Sequence, residues 1–194
     1  MLTTWEIDYF RKPSDDIQLI TLVGMMGAGK SKIGYMVAKS LQLNFYDSDS
    51  LIEKQLNASI KEIFQFHGEP YFRKFEKEQI IKTVNKALQS GEKAIISLGG
   101  GAFDNQDTRN LLLEKTKVIW LNVPIENLIK RVGDGKKRPM LKGNIKESIS
   151  SILNRRIKYY SLSHYELKTY SLSQEKIIKK IVEIISLENK KAYQ

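Results

Sequence analysis

The sequence predicts an α/β fold in which a parallel sheet is covered by helices on both faces. Short apolar, β-branched runs alternate along the chain with longer segments in which apolar residues recur at helical spacing. Continuous apolar runs of this kind are typical of strands that are buried on both faces. At 194 residues, the chain is long enough for one such domain with a substantial core.

The individual elements follow from these patterns in chain order. The run IQLITLV at 17–23 predicts the first strand, and Ile33, Val37 and Leu41 predict a helix over 30–41. Further strands are expected at the later short apolar runs: 44–46, 94–98, 118–122 and 166–170. Further helices are expected at the remaining periodic segments: 50–89 with a break near Gly68, about 107–115, from Pro124 onwards, between Gly143 and the strand at 166–170, and from Gln174 onwards.

The two ends of the chain and one internal segment lack such periodicity. Residues 1–16 are expected to form a loosely ordered extension, residues 17–187 the domain, and residues 188–194 a tail. Residues 133–143 hold three glycines, one proline and five charged residues without apolar spacing. That composition predicts a mobile loop.

Composition excludes several classes of protein. The chain has no cysteine, which excludes a disulfide scaffold and a zinc–thiolate site, and its two histidines are too few for a histidine-rich metal cage. No run approaches the ~18 apolar residues of a membrane helix, and charged residues interrupt the N-terminal segment where a signal peptide would be apolar. We therefore expect a cytoplasmic protein with no membrane partner.

The net charge of +10 raises the question of a nucleic-acid partner. The excess comes mainly from lysines that are spread along the chain, whereas nucleic-acid readers usually cluster arginines and interleave aromatic residues. A lysine-rich solvated surface is therefore favoured. A nucleotide-binding regulator that uses its charge on nucleic acid is the alternative.

The strongest motif is GMMGAGKS at 24–31, which matches the phosphate-loop pattern G-x-x-x-x-G-K-[ST] between a predicted strand and a predicted helix. Backbone N–H groups of such a loop surround phosphate oxygens. The lysine, Lys30, is expected to reach the β- and γ-phosphates, and the hydroxyl of Ser31 to ligate Mg²⁺. The motif predicts binding of a nucleoside triphosphate.

Polar residues follow two other predicted strands, at the sheet edge where open α/β folds bind ligands. Asp47 and Asp49 follow the second strand, and one of them is expected to support the magnesium while the other accepts a proton from a substrate hydroxyl. Three glycines at 99–101 follow the third strand and let backbone amides approach a ligand closely. Arg73 and Glu76 share a helix face, which suits a carboxylate that orients a guanidinium.

Taken in order, these and further motifs resemble the shikimate kinase family. The resemblance covers about 17–187 and is carried by the following segments: GMMGAGKS at 24–31, DSD at 47–49, SIKEIF at 59–64, GE at 68–69, FR at 72–73 with Glu76, GGGA at 99–102, RPML at 138–141, and Arg155 with Tyr159. It implies the fold of nucleoside-monophosphate kinases: a three-layer P-loop fold with a five-stranded parallel sheet, a helical substrate-binding region and a mobile lid at about 133–144.

The resemblance also implies roles for residues that would handle ATP. The expected ATP-binding residues are Gly27, Ala28, Gly29, Lys30, Ser31, Lys32, Arg131 and Arg138. Among them, Lys30 and Arg138 are implied to be catalytic, and Arg131 is implied to stack on the adenine. Ser31 is the implied Mg²⁺ ligand, with Asp47 acting through a water molecule.

A second set of residues is implied to hold shikimate. The expected substrate-binding residues are Asp49, Phe64, Phe72, Arg73, Gly99, Gly100, Gly101 and Arg155. Asp49 is the implied base, Arg73 and Arg155 would hold the substrate carboxylate, and Glu76 would brace Arg73. Arg155 is preferred over the adjacent Arg156 because Tyr159 then lies four residues further on.

The implied activity is Mg²⁺-dependent transfer of the ATP γ-phosphoryl group to the 3-hydroxyl of shikimate, giving shikimate 3-phosphate and ADP for aromatic amino acid biosynthesis. The enzyme is expected to act as a monomer. The nearest alternative is another kinase of the same fold with a different acceptor, such as a gluconate or monophosphate kinase.

Overall fold

The structure is a computed structural model that describes residues 7–9, 18–135, 138–141, 143–170 and 172–191. Its strands are β1 (Ile7–Tyr9), β2 (Leu19–Val23), β3 (Asn44–Asp47), β4 (Ala94–Ser97), β5 (Lys117–Asn122) and β6 (Tyr165–Lys168). Its α-helices are α1 (Lys30–Leu41), α2 (Ser48–Leu56), α3 (Ile60–Gln89), α4 (Gln106–Lys115), α5 (Ile125–Val132), α6 (Ile145–Tyr160) and α7 (Gln174–Lys191). A single 3₁₀ turn, Ala102–Asp104, links β4 to α4.

The strands form one sheet in the order β1-β6-β5-β2-β4-β3, in which β2 to β6 are parallel. This confirms the predicted five-stranded parallel sheet. The structure adds β1, which pairs antiparallel with β6 inside the segment expected to be a loose extension. Pairing of this kind covers the backbone groups that an edge strand otherwise leaves open. The rest of the expected extension, 1–6 and 10–16, lies outside the described residues.

The core lies on both faces of the central strands. Strands β2, β4 and β5 are buried along almost their whole length, as their mainly apolar sequences predict. Helix α1 packs so closely on the sheet that a Cβ at Gly34 would lie 2.8 Å from the Phe45 ring. Helix α7 buries Ile177, Ile181 and Ile184, which confirms its predicted amphipathic character.

Helix α3 carries the polar residues of interest and is interrupted as predicted. Ser59 and Glu62 form a capping box at its start. Gly68 then adopts φ 79° and ψ 172°, which no helix accommodates, and the proline at Pro70 follows. A new helical segment therefore begins after this break, and it carries Arg73 towards the carboxyl ends of the strands.

The described residues of the predicted loop at 133–143 form turns rather than helix or strand. Three residues of this expected lid, 136, 137 and 142, lie outside the described residues, as do 192–194 of the expected tail. Helix α7 continues to Lys191 and so includes the start of that tail. None of the helices in the described part of the chain combines the length and the apolar character needed to cross a membrane.

Candidate active site

The phosphate loop lies between β2 and α1, where the motif predicts it. Gly29 adopts φ 91° as the residue before the helix, a conformation that favours glycine. The Lys30 ammonium donates hydrogen bonds to the carbonyl oxygens of Gly24 and Met25, at 2.8 and 3.0 Å. Burial lowers the pKa of Lys30 to about 8, and the nearby Asp49 carboxylate partly opposes this. A bound phosphate would be a negatively charged partner for this buried ammonium group.

The two aspartates take different places at the start of α2. Asp47 ends β3 and caps the helix by accepting a hydrogen bond from the Ser50 N–H at 3.1 Å. Asp49 lies in the first turn, and among the described residues its buried Oδ1 has no hydrogen-bond partner. Burial raises the pKa of Asp49, as does the Asp47 charge, while Lys30 is the largest opposing influence. An unpartnered carboxylate oxygen beside the phosphate loop is suited to accept a proton.

An open cleft of about 440 Å³ lies between the phosphate loop, α3 and the glycine turn. Its lining includes most of the predicted substrate-binding residues: Asp49, Phe64, Phe72, Arg73, Gly99, Gly100 and Gly101, together with Glu76 and Arg138. The rings of Phe64 and Phe72 form one wall, with centroids 4.8 Å apart. The structure thus brings together residues from four separate segments of the chain.

The three glycines leave room for charged groups of both signs. A Cβ at Gly99 would lie 2.5 Å from Asp49 Oδ1 and 2.7 Å from Glu76 Oε1. A Cβ at Gly101 would lie 2.5 Å from Nη2 of Arg73 and from Nη2 of Arg156. One end of the turn therefore faces two carboxylates, and the other end faces two guanidinium groups.

The first of these guanidinium groups is held by α3 itself. Arg73 donates from Nη1 to Glu76 Oε2 at 2.6 Å and from Nε to Glu69 Oε1 at 3.2 Å. Glu76 is only 2% exposed, and burial raises the pKa of its carboxyl group to about 7 although Arg73 opposes the shift. The predicted bracing contact between Glu76 and Arg73 is present in the structure.

The second guanidinium belongs to Arg156, which corrects the sequence-based preference for Arg155. Arg156 is 1% exposed and lines the cleft, whereas Arg155 is exposed and borders a neighbouring surface pocket. Successive helix residues point about 100° apart, so only one of the two can face the cleft. Tyr160, four residues after Arg156, is fully buried and donates its hydroxyl to the Gly100 carbonyl at 2.5 Å.

The sequence reasoning therefore considered Arg156 without preferring it, and it missed Tyr160 and Asp104, the latter accepting a hydrogen bond from Arg156 Nε at 2.8 Å. A signal for the first two exists in α6. Its buried residues are Ile149, Ile152, Arg156 and Tyr160, a stripe at helical spacing that includes Arg156 and excludes Arg155.

The remaining predicted residues lie around the phosphate loop. Arg131 Nη1 donates to the carbonyl oxygens of Gly27 and Ala28, at 3.3 and 3.5 Å, from the last turn of α5. Ser31 and Lys32 are exposed in the first turn of α1, where a bound triphosphate would be accessible to both. Arg138 is exposed in the loop after α5 and borders the cleft.

A phosphate loop after the first parallel strand, joined to a cleft with paired cationic and acidic side chains, defines a P-loop kinase. Comparison with known proteins narrows this class. The shikimate kinase family model matches residues 26–186. The chain belongs to the shikimate kinase family, whose members are ATP-dependent kinases.

Individual relatives agree over most of the chain. The shikimate kinase of Zymomonas mobilis is 38% identical over 164 residues, which cover 84% of this chain and 90% of that protein. The shikimate kinase of Bacillus subtilis is 37% identical over 169 residues, covering 87% and 89%. The structure of Acinetobacter baumannii shikimate kinase in complex with shikimate has a TM-score of 0.81 at 30% identity, covering 87% and 93%. A deoxyadenosine kinase from M. mycoides, at 17% identity and a TM-score of 0.58, shares the fold.

Proposed function

We propose that this chain transfers the γ-phosphoryl group of ATP to the 3-hydroxyl of shikimate, yielding shikimate 3-phosphate and ADP for aromatic amino acid biosynthesis. The observation that carries the proposal is the pair of guanidinium groups, Arg73 and Arg156, that converge on Gly101. They face the same cleft as Asp49, which lies beside Lys30 of the phosphate loop. A substrate with a carboxylate at one end and a hydroxyl at the other fits this division of charge.

The two arginines would bind the carboxylate of the acceptor. A guanidinium presents parallel N–H groups that match the two oxygens of a carboxylate, which an ammonium group does not. Both Arg73 and Arg156 are largely removed from water, which strengthens their attraction for an anion. The ring of the substrate would then lie against Phe64 and Phe72.

Asp49 would accept the proton of the attacking hydroxyl. In the transfer, a bond forms between the acceptor oxygen and the γ-phosphorus, and the bond between that phosphorus and the β–γ bridging oxygen breaks. The hydroxyl proton passes to Asp49, whose buried Oδ1 has no hydrogen-bond partner among the described residues. Its raised pKa makes the carboxylate a better proton acceptor than an exposed aspartate.

The cations around the phosphate loop would stabilise the transferring group. Lys30 would exchange its two carbonyl partners for phosphate oxygens, and Arg138 would approach from the loop after α5. Arg131 anchors the C-terminal end of α5 on the phosphate loop, close to where the nucleotide would extend. Most of the rate enhancement would come from positioning and charge neutralisation.

The residues present fit a magnesium ion as the cofactor. Ser31 offers a hydroxyl and Asp47 a carboxylate, which are oxygen ligands of the type that Mg²⁺ prefers. The helix-capping bond to the Ser50 N–H occupies one acceptor position of Asp47, and a carboxylate has about four, so Asp47 can also hold a water ligand of the metal. When bound, Mg²⁺ would neutralise charge on the phosphates.

The acceptor can be tested by measuring ADP release with purified protein and Mg²⁺-ATP. We expect turnover with shikimate and only background turnover with gluconate, nucleoside monophosphates or the methyl ester of shikimate, which lacks the anionic charge. ATP consumption at the same rate with and without shikimate would overturn the proposed activity.

The neighbouring arginines of α6 provide a matched pair of variants. Arg156→Ala removes a cleft side chain, and Arg155→Ala removes the same chemical group from the surface. We expect the shikimate KM to rise about 100-fold or more in the first variant, because a charged hydrogen-bond partner of the carboxylate is lost. We expect it to stay within twofold in the second, and the reverse pattern would refute the assignment.

We further infer that the enzyme acts as a cytoplasmic monomer without nucleic-acid or membrane partners. The scattered distribution of its lysines along the chain supports only the part of this inference that concerns nucleic acid. Light scattering after gel filtration tests the monomer. Retention on DNA that weakens steeply as salt is added would contradict the absence of a nucleic-acid partner.

A further inference from the structure

The side chain of Asp104 lies directly behind the cleft, on the far side of Arg156. Asp104 ends the 3₁₀ turn that follows the three glycines, and its N–H donates to the Gly101 carbonyl at 3.0 Å. Arg109 Nη1 donates to the carbonyl oxygens of Phe103 and Asp104, both at 3.0 Å. The backbone of Asp104 is therefore held by hydrogen bonds to both Gly101 and Arg109.

Asp104 uses one carboxylate oxygen to hold one edge of the Arg156 guanidinium. The Oδ2 atom accepts from Nε at 2.8 Å, and the arginine side chain is 1% exposed while that of the aspartate is 29% exposed. A guanidinium that is buried to this degree needs a charged or hydrogen-bonding partner. Because Asp104 takes Nε, it does not occupy the two terminal nitrogens of Arg156, which lie on the opposite edge beside the Tyr160 hydroxyl.

Those terminal nitrogens point towards the cleft. Nη2 of Arg156 lies 2.5 Å from the position of a Cβ at Gly101, and Nη1 lies 3.6 Å from that of a Cβ at Gly100. Nη1 is buried, and no other described residue accepts a hydrogen bond from it. The two terminal nitrogens of this guanidinium form an edge that can donate to both oxygens of a carboxylate.

We propose that Asp104 is a positioning residue that orients Arg156 for the substrate carboxylate, as Glu76 does for Arg73. The inference rests on the proposed function, and it concerns the acceptor rather than ATP. Without Asp104, the long side chain of Arg156 would sample several rotamers, and binding the substrate would have to restrict them again. The effect should therefore appear in the KM for shikimate and not in the KM for ATP.

Steady-state kinetics of three variants test this role. Asp104→Ala is expected to raise the shikimate KM about tenfold or more, with kcat and the ATP KM within about threefold of wild type. Asp104→Asn keeps an acceptor oxygen for Nε and is expected to restore the KM to within about threefold. Asp107→Ala is the control, since it removes an equal charge three residues away, from an exposed pair with Lys77, and is expected to change neither KM.

The kinetic outcomes are decisive in both directions. An unchanged or lowered shikimate KM in Asp104→Ala would overturn the proposal, because loss of a nearby negative charge alone favours an anionic substrate. An Asp104→Asn variant as impaired as Asp104→Ala, or an equal loss in Asp107→Ala, would overturn it as well.

A measurement without substrate separates this proposal from the proposed activity. In ¹⁵N-labelled protein, the Nε–H proton of Arg156 should exchange with water at least about tenfold more slowly than that of Arg155, which is exposed on the same helix. Asp104→Ala should remove that protection, and because Arg156 is also buried, protection that persists in this variant would overturn the proposal. Equal exchange at the two arginines would refute the proposal even if shikimate is phosphorylated. Slow exchange at Arg156 without turnover of shikimate would refute only the activity.

Discussion

Substitution of Gly101 by alanine tests the site without removing any charged group. Gly101 has φ −107° and ψ −6°, which alanine adopts without strain. The added Cβ would lie 2.5 Å from Nη2 of both Arg73 and Arg156, and 2.7 Å from Nη1 of Arg73. Unstrained contacts between such atoms are about 3.5 Å, so each guanidinium has to withdraw by about 1 Å.

A displacement of this size should have little effect on the stability of the fold and a large effect on substrate binding. The atoms that must move are the ends of long side chains, so we expect the free energy of unfolding to change by less than about 1 kcal/mol. A misplacement of about 1 Å in a binding group can reduce catalytic efficiency by about 100-fold. We therefore expect kcat/KM for shikimate to fall about 100-fold in Gly101→Ala. The ATP KM should stay within about twofold, because the three atoms nearest to the new Cβ all belong to Arg73 and Arg156 and none to the phosphate loop.

Initial rates at varied shikimate and at varied ATP, together with urea unfolding, measure these quantities. The control is Gly91→Ala, at φ +64°, where apart from its chain neighbours none of the residues that the structure describes has an atom within 4 Å of the new Cβ. That variant should lose about 1 kcal/mol of stability through backbone strain and keep wild-type kinetics. A shikimate KM within twofold of wild type in Gly101→Ala would refute the convergence of the two arginines at this point.

Three further outcomes are expected. Lys30→Met should reduce kcat at least about 1,000-fold without unfolding the protein, measured as ADP release and circular dichroism; a tenfold loss would argue against contact with the transferred phosphate. Glu76→Gln should flatten the pH dependence of the free energy of unfolding. The pKa of Glu76 is about 7 in the folded protein and has an ordinary value of 4.5. The wild type should therefore lose stability as the pH rises from 4.5 to 7, whereas below 4.5 this group adds no pH dependence to its stability. Urea unfolding at pH 5 and pH 8 measures the slope, and an unchanged slope would contradict the burial of a charged Glu76. Ile95→Ala, at a fully buried position of β4, should lower the free energy of unfolding by about 2–5 kcal/mol, and a loss under 1 kcal/mol in the same assay would contradict its place in the core.

The parallel sheet and the phosphate loop could be predicted because both depend on local sequence. Strands such as β2 and β5 are buried on both faces, so apolar residues follow one another along them almost without interruption. Strand β1 lacks this signal. It has only three residues, one of them Asp8, and its place depends on pairing with the edge of β6.

Contacts between distant segments could be predicted only through family resemblance, and this explains the error at α6. Arg155 and Arg156 are each followed by a tyrosine four residues later, so that spacing cannot distinguish them. The distinction depends on which helix face the core covers. Likewise, Asp104 and Arg156 are 52 positions apart in the sequence, so no local pattern indicates their ion pair. The roles of the individual site residues stay predictions until the variants are measured.

The proposed function would explain why a lysine-rich chain has arginine at both of these positions of the cleft. In that proposal, each guanidinium has two partners at once: a carboxylate of the protein on one edge and the substrate on another. Glu76 and Asp104 fix Arg73 and Arg156 before the substrate arrives, so less conformational freedom is lost on binding. An ammonium group has no flat edges to divide in this way, and its charge would be drawn towards the protein carboxylate. The pairing of each arginine with its own acidic residue would therefore prepare the cleft for an anionic acceptor, although two carboxylates, those of Asp49 and Glu76, already line it.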